Sequence, residues 1–307
     1  MTAPLRIAMI GAGHVGATAA YALMLRGLFS EIVLIDANQA LAEAEAADLS
    51  DADALARSAE IWAGGYADAA EAQIAVITAG AATHGTQSRL SIAAASAVIV
   101  GECVDSLMAA GFKGVIVVAA NPVDLMSLLA CRRSGLPSAR VIGTGTLLDS
   151  MRLRQALSSH LGVEAGSIDG YVLGEHGDSE AAAFSTVRIG GVPLDSLTEG
   201  AALDLPALAT AVRTGAYRVI KGKGYTSFGI ATAIVRIVEA VIRDEKAVLP
   251  VSTFLNGQYG IDDLYLSLPC VIGAGGVERV LEPDLTEAEL AALLASAQVL
   301  REGAAAL

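Results

Sequence analysis

The chain of 307 residues is 54% hydrophobic and carries a formal net charge of −13 at pH 7. Such a chain buries a sizeable core, which excludes a disordered protein, and its acidic balance argues against a nucleic-acid partner, because phosphate binding needs clustered Lys and Arg. Its three cysteines are far apart and lack CxxC spacing, which argues against a disulfide framework or a zinc site and favours a reducing cytoplasm.

The first predicted element contains an apolar run that imitates a membrane segment. The run "IAMIGAGHVGATAAYALML" follows Arg6, but its glycines recur as G-x-G-x-x-G at Gly11, Gly13 and Gly16. This spacing predicts a strand, a tight turn and a helix. No other window reaches the roughly 18 uninterrupted apolar residues that a membrane span needs. The sequence therefore predicts a soluble, cytoplasmic protein with no membrane partner.

The same glycines predict a dinucleotide site. Gly11 permits the tight turn, Gly13 lets the backbone approach a pyrophosphate, and Gly16 lets the helix pack on the strand. The helix N-terminus offers N–H donors and the positive end of its dipole to the phosphates. Asp36, twenty residues past Gly16 at the end of the second strand, can accept hydrogen bonds from both ribose hydroxyls and repels a 2′-phosphate. The pattern favours NAD over NADP; the alternative is a glycine turn that only packs.

The first half of the chain alternates apolar runs with alanine-rich stretches. The runs are 5–10, 31–36, 73–78, 114–120 and 140–145, and the longest alanine-rich stretches are 38–56 and 87–110. Near-continuous apolar runs are typical of strands buried on both faces of a parallel sheet, and the alternation predicts right-handed crossover helices. We therefore predict an α/β fold with a Rossmann-type doubly wound parallel sheet over residues 1–145.

The pattern changes after residue 145. A helix is predicted over 149–162, shorter strands with Gly/Pro turns follow, and 227–246 carries a helical apolar stripe. The last helix is predicted to begin at Thr286, which forms a capping box with Glu289. Residues 146–307 are thus predicted to form a second, α+β domain that supplies the substrate site.

The stretch "YVLGEHGDSEAAAF" places His176 among glycines and acidic residues. Taken alone, the stretch favours a solvated loop histidine without a functional role. Asp149, at the start of a predicted helix, can orient an imidazole and raise its pKa. Arg152, three residues on, offers a planar guanidinium for a bidentate grip on a carboxylate, whereas Arg154 lies about 200° away around the helix. These residues predict an acid–base site for an anionic substrate.

Two further segments predict ligand contacts. The loop from Thr78 into the next helix contains glycines and a lone arginine, Arg89, and can act as a lid. Asn121 precedes a proline at a strand end, which is the ligand-binding end in an open α/β sheet. Both segments therefore extend the predicted site.

Six motifs together resemble the L-lactate/malate dehydrogenase family, and within it the L-lactate and L-2-hydroxyacid branch. They are "GAGHVG", "TAG…SRL", "NPVD", "VIGTGTLLDSMRLR", "GEHGDSE" and "GKGYTS", and the match covers nearly the whole chain. The resemblance implies an NAD-dependent enzyme that reduces a 2-oxo monocarboxylate, pyruvate to L-lactate first of all. It implies His176 as proton donor and acceptor, Asp149 as its orienting carboxylate, Arg152 as the ligand of the substrate carboxylate and Arg89 as the lid residue that polarises the carbonyl.

The resemblance also implies contacts around these catalytic residues. Asn121 lies where the family contacts both substrate and cofactor, Thr226 matches a pocket wall, and Ile230 matches a residue packed on the nicotinamide. The expected cofactor contacts are Gly11, Gly13, His14, Val15, Gly16, Asp36, Gly80, Asn121 and Ile230. The family forms homo-oligomers, so a homodimer or homotetramer is expected.

The chain departs from the family pattern in the lid. The position that selects substrate, usually Gln in lactate enzymes and Arg in malate enzymes, is Thr83 here, and the lid's other candidate cation is His84. A second substrate carboxylate needs a cation, so malate activity is not expected. The small Thr83 predicts a pocket for side chains larger than methyl. The alternatives are an L-2-hydroxyisocaproate-type dehydrogenase, a malate dehydrogenase and a non-catalytic NAD-binding protein.

A second departure concerns regulation. Many bacterial relatives bind fructose 1,6-bisphosphate at a subunit interface through an arginine and a histidine. Arg154 matches the arginine, but the histidine position is Asp169, which repels phosphate and can instead pair with Arg154. The sequence predicts no activation by this sugar bisphosphate.

Overall fold

The structure, a computed structural model, describes residues 4–81, 89–197 and 203–306, without the side chains of 89–91. The described residues form twelve strands: β1 (Arg6–Ile10), β2 (Glu31–Ile35), β3 (Glu60–Ala63), β4 (Ile74–Ile77), β5 (Val115–Val118), β6 (Val141–Gly143), β7 (Ile168–Leu173), β8 (Ala181–Ile189), β9 (Val192–Pro193), β10 (Ala247–Asn256), β11 (Asp262–Gly273) and β12 (Gly276–Val280).

Eleven α-helices lie between and after these strands in the described ranges. They are α1 (His14–Arg26), α2 (Gln39–Ala56), α3 (Tyr66–Ala69), α4 (Arg89–Ala109), α5 (Val123–Ser134), α6 (Leu147–Leu161), α7 (Leu194–Leu197), α8 (Leu205–Arg213), α9 (Gly215–Lys223), α10 (Phe228–Ile242) and α11 (Glu287–Ala305).

One large sheet carries the first half of the chain. Its strand order is β12-β11-β10-β6-β5-β4-β1-β2-β3. The first six strands of the chain, β1 to β6, are parallel to one another. Their order 3-2-1-4-5-6 is that of a doubly wound dinucleotide-binding sheet. The predicted fold class is therefore confirmed, and ligands are expected at the carboxyl ends of these strands.

Residue alternation along the parallel strands builds two core clusters, one on each face of the sheet. On β1, Ile7 and Met9 belong to one cluster, while Ala8 and Ile10 belong to the other. All four are at most 2% exposed, because helices cover both faces. This two-sided burial is the reason that the strands appear as continuous apolar runs in the sequence.

Two features of the sheet were not predicted. Strand β3 has four residues of which Ile61 alone is buried, so it shows no apolar run. The antiparallel hairpin β10–β11 joins the large sheet where Ser252 pairs with Gly143. An added Cβ on Gly143 would lie 2.8 Å from Ser252 Cβ, so this close approach requires glycine. The large sheet therefore runs across the predicted boundary at residue 145, and that boundary stays a prediction.

The second half adds a separate antiparallel sheet, β7-β8-β9, whose core packs against α6 and α8. A bridge between Gly174 and Ser267 of β11 connects the end of β7 to the large sheet. Helix α6 begins at Leu147, two residues before the predicted start, so that Asp149 lies in its first turn. The capping box of Thr286 and Glu289 is confirmed at the start of α11.

Within the described residues, α4 alone has a stretch long and apolar enough to cross a membrane, Ile92–Ala109. Val104 and Leu107 of this stretch are fully buried in the core cluster beneath the sheet. Asp105, on the same helix, pairs with Arg133 of α5 at 2.9 Å. These contacts are those of a core helix that packs between a sheet and a neighbouring helix.

Candidate active site

The glycine turn after β1 forms a cradle at the N-terminus of α1. Gly11 has φ +105°, and its N–H donates to the carbonyl of Ile35 at 2.7 Å. An added Cβ on Gly16 would lie 1.8 Å from the Gly11 carbonyl oxygen, so helix and turn touch. Gly13 is exposed with open space around its Cβ position, and no side chain caps the helix. The turn thus presents bare backbone to an anion.

Asp36 follows β2 and faces this turn. Its Oδ2 accepts from the Ala12 N–H at 2.7 Å, and its Oδ1 accepts from the Asn38 N–H at 2.8 Å. The carboxylate is therefore held at the carboxyl ends of β1 and β2, where the ribose of a dinucleotide is expected.

An aromatic contact joins the glycine turn to the segment before α10. The imidazole of His14 stacks on the ring of Tyr225, with centroids 3.8 Å apart and an interplanar angle of 8°. The ammonium of Lys223 lies 4.3 Å from the Tyr225 centroid and donates to Ser227 Oγ at 3.0 Å. Tyr225 and Lys223 were not among the predicted residues. Their signal in the sequence was only the motif "GKGYTS", which predicted the neighbouring Thr226.

Three of the predicted catalytic residues meet in one hydrogen-bonded group. Asp149 is 2% exposed; its Oδ2 accepts from His176 Nδ1 at 2.6 Å and its Oδ1 accepts from Arg152 Nη1 at 2.6 Å. With Nδ1 directed to Asp149, Nε2 is the imidazole nitrogen left to exchange a proton with a bound molecule. His176 is therefore held in one orientation, which excludes the alternative of a solvated loop histidine.

Hydrogen bonds between side-chain hydroxyls and the backbone fix the elements that carry Asp149 and His176. Thr146 Oγ1 donates to the Val172 carbonyl at 2.5 Å, and the Val172 N–H donates to Ser150 Oγ at 2.9 Å, so the start of α6 is tied to β7. The Glu175 N–H donates to Ser296 Oγ of α11 at 2.7 Å. The loop that carries His176 is thus anchored on two sides despite its glycines.

The electrostatics favour a charged imidazole. Burial lowers the pKa of His176, but the charge and hydrogen bond of Asp149, together with Asp124 and Glu180, more than offset burial and raise the pKa to about 9. Burial works to raise the pKa of Asp149, and the opposite charges and hydrogen bonds of His176 and Arg152 hold it below its ordinary value. The buried Asp149 carboxylate thus pairs with both the His176 imidazolium and the Arg152 guanidinium.

Two acidic residues near the imidazole were not predicted as site residues. Asp124 Oδ2 accepts from the His176 backbone N–H at 2.8 Å. Burial, and then the charge of Asp149, raise the pKa of Glu180 to about 8, while His176 and Arg152 lower it. Both acids lie in the motifs "NPVD" and "GEHGDSE", but nothing in the spacing indicated that they lie near His176.

The remaining predicted residues lie at the expected strand and helix ends. Asn121 follows β5 and Gly80 follows β4, both exposed, while Thr226 and Ile230 are half-buried around the start of α10. Val15 is half-buried in the first turn of α1. Thr83 and His84 lie outside the described residues, and Arg89 opens α4 with its side chain outside the description. The ligand contacts of all these residues stay predictions.

The expected pairing of Arg154 with Asp169 is wrong. Arg154 Nε donates to the Gly170 carbonyl at 3.3 Å, and its guanidinium lies 5.8 Å from the Tyr171 ring centroid. Asp169 is exposed on β7. The Arg154 guanidinium contacts the Gly170 carbonyl and the Tyr171 ring, and the Asp169 carboxylate is exposed to solvent instead.

The chain is similar in sequence and in structure to lactate dehydrogenases. A family model described as the lactate/malate dehydrogenase NAD binding domain matches residues 5–143, and one described as the lactate/malate dehydrogenase alpha/beta C-terminal domain matches residues 146–305. L-lactate dehydrogenase 2 of Enterococcus faecalis is 41% identical over 92% of this chain and 91% of its own, and L-lactate dehydrogenase of Priestia megaterium is 41% identical over 97% and 95%. A solved minor L-lactate dehydrogenase from Enterococcus mundtii in a ligand-bound form superposes with a TM-score of 0.96 at 39% identity, over 99% of this chain and 98% of that one.

Proposed function

The chain belongs to the lactate/malate dehydrogenase family and is an NAD-dependent oxidoreductase, and we propose that it interconverts a 2-oxo monocarboxylate and its L-2-hydroxy acid, pyruvate and L-lactate first of all. The observation that carries the proposal is the pair of contacts on Asp149, which hold His176 and Arg152 side by side. Reduction of a 2-oxo acid requires a proton donor beside a cationic group that binds the substrate carboxylate.

The described residues fit NAD. The Gly11–Gly16 turn leaves space above Gly13, the N-terminus of α1 has no side-chain cap, and Asp36 is placed to accept from ribose hydroxyls. When bound, the cofactor supplies the hydride. The carboxylate of Asp36 would repel a 2′-phosphate, which supports NAD over NADP.

His176 performs the proton transfer in this proposal. Its Nε2–H donates to the substrate oxygen as the 2-oxo group is reduced, and neutral Nε2 accepts the hydroxyl proton in the reverse direction. Asp149 stabilises the imidazolium and fixes its orientation. A pKa of about 9 keeps the donor protonated at neutral pH, which is the form that reduction of the 2-oxo group requires.

Arg152 binds the substrate carboxylate. Its Nη1 is engaged by Asp149, and its guanidinium retains further N–H donors for a second, bidentate partner. We propose that Arg89, at the start of α4, adds a positive charge at the reacting carbonyl.

Substrate preference tests this function. We expect the protein to oxidise NADH with pyruvate. The kcat/KM values for 2-oxoisocaproate and phenylpyruvate should lie within about tenfold of the value for pyruvate, because Thr83 is smaller than the Gln that is usual at this position in lactate enzymes. Oxaloacetate should be at least about 100-fold poorer, because its second carboxylate finds no cation at Thr83. Initial rates from NADH absorbance give these ratios.

A matched variant sharpens the comparison. Thr83→Arg should raise kcat/KM for oxaloacetate relative to pyruvate. A wild-type preference for oxaloacetate would contradict the charge argument, and absence of NADH oxidation with all four acids would favour a non-catalytic NAD-binding protein.

The sugar bisphosphate prediction is tested with the same assay. Fructose 1,6-bisphosphate should leave the KM for pyruvate unchanged, because Asp169 is exposed and repels phosphate, while Arg154 is engaged by the Gly170 carbonyl and the Tyr171 ring. A clear fall in KM on its addition would refute the prediction.

We also propose a homodimer or homotetramer in a reducing cytoplasm. The support for assembly is exposed apolar surface on α9 and at the start of α10, at Val219, Ile220 and Phe228. The support for the compartment is that all three cysteines are free thiols. Sedimentation velocity measures the assembly.

A further inference from the structure

One buried carboxylate contacts the proton donor from its backbone side. Asp124 lies in the first turn of α5 and is 2% exposed. Its Oδ2 accepts from the His176 backbone N–H at 2.8 Å, and its Oδ1 accepts from Ser252 Oγ at 2.5 Å. Ser252 is fully buried on β10. The carboxylate therefore ties the backbone at His176 to two elements, α5 and β10, that lie far from it in the chain.

The charge of Asp124 also acts on the imidazole. Burial raises the pKa of Asp124 to about 6, while the hydrogen bonds from Ser252 and His176 and the His176 charge lower it and Glu175 raises it. The carboxylate is thus mostly ionised at neutral pH and above. The acids that raise the pKa of His176 are Asp149, Asp124 and Glu180.

We propose that Asp124 is a positioning residue for the proton transfer: it fixes the backbone of His176 and supplies a second negative charge near the imidazole. Asp149 orients the ring through Nδ1, and Asp124 orients the residue through its N–H. The inference rests on the proposed role of His176. It assigns to the "NPVD" motif a second function besides placing Asn121 at the end of β5.

Asp124→Asn separates charge from contact. The amide oxygen can still accept from the His176 N–H, and the Ser252 hydroxyl can turn to accept from the amide N–H, so both hydrogen bonds are retained while the charge is lost. In pyruvate reduction, kcat/KM falls at alkaline pH as His176 loses its proton. Asp124→Asn should move this limb to lower pH by about half a unit to one unit, with the Kd for NADH within about twofold of wild type.

Asp124→Glu separates contact from charge. It keeps the carboxylate but moves its oxygens by one methylene, so we expect the alkaline limb in place and kcat reduced by about tenfold or more. This variant also tests the proposal if Asp124→Asn does not fold. The matched control is Asp53→Asn, another buried acid that accepts a backbone N–H, from Ala59 at 2.9 Å, outside the site.

Each of the two Asp124 variants has a result that would overturn the proposal. An alkaline limb that stays at the wild-type pH in Asp124→Asn, or wild-type kcat in Asp124→Glu, overturns the proposal and leaves Asp124 a structural residue. Direct NMR titration of the His176 imidazole reads the same shift without turnover. If wild-type protein reduces none of the four 2-oxo acids while Asp124→Asn still lowers the pKa of His176, the proposed function fails and the role of Asp124 as a negative charge near the imidazole stands.

Discussion

His176→Ala protein is expected to lose turnover, with kcat for pyruvate reduction at least about 10³-fold below wild type, while its Kd for NADH stays within about twofold. The imidazole is the group whose Nε2 is free to donate to the substrate oxygen, because Nδ1 is bonded to Asp149 at 2.6 Å. The cofactor cradle at Gly11–Gly16 and Asp36 makes no contact with His176 in the described hydrogen bonds, so its affinity should not change. Steady-state rates and fluorescence titration with NADH give the two values.

The control for this variant is His160→Ala. His160 lies exposed in the last turn of α6, where its ring bonds to the Ala156 carbonyl. It should keep wild-type kcat and KM. Loss of NADH binding together with turnover in His176→Ala would instead indicate that His176 holds the fold.

The second large effect is expected for Asp149→Asn. Removing the charge leaves the Arg152 guanidinium without its buried counter-charge and lets burial lower the pKa of His176 from about 9 toward or below its ordinary value. Reduction needs protonated His176, so the activity is present below this pKa and lost as pH rises through it; a lower pKa moves the loss to lower pH. We expect an alkaline limb at least about one unit lower and kcat at pH 8 reduced on the order of 10²-fold.

Lactate oxidation should respond differently in the same variant. That direction needs neutral His176, and the lower pKa supplies it at a lower pH. The matched control is Glu239→Gln, which removes a buried carboxylate paired with Arg243 at 2.6 Å, outside the site. An alkaline limb at the wild-type pH in Asp149→Asn would show that Asp149 does not set the protonation of His176.

The sequence predicted what is encoded in local spacing. The apolar runs predicted β1, β2, β4, β5 and β6, because strands buried on both faces have apolar residues at nearly every position. The glycine turn was predictable because Gly11 needs a positive φ and Gly16 needs contact with the turn. Strand β3, with a single buried residue, lacks such a pattern.

Partners fixed by tertiary contact were not predictable from the same patterns. Asp124 reaches His176 across 52 residues and Ser252 across 128, and no spacing rule relates such positions. Arg154 illustrates the converse error: a nearby acid suggested an ion pair, but the carbonyl of Gly170 and the Tyr171 ring engage the guanidinium. Formal charge does not indicate which acceptor a folded backbone brings close.

The contact of His176 with Asp149 was suggested by the residue types and the helix start, and the motif resemblance then implied Asp149 as the orienting carboxylate. The structure adds that Arg152 shares the same carboxylate, which the spacing of three residues on a helix allowed. The side chain of Arg89 lies outside the described residues, and its proposed role at the carbonyl rests on the resemblance.

The most direct test of the site is a crystal structure of the protein with NADH and oxamate, a non-reacting analogue of pyruvate. We predict that His176 Nε2 lies within about 3.2 Å of the oxamate carbonyl oxygen, and that the Arg152 guanidinium binds the carboxylate through two N–H groups, beside the nicotinamide ring. Oxamate bound elsewhere, or His176 and Arg152 directed away from the nicotinamide, would contradict the proposed chemistry and leave only the nucleotide-binding fold.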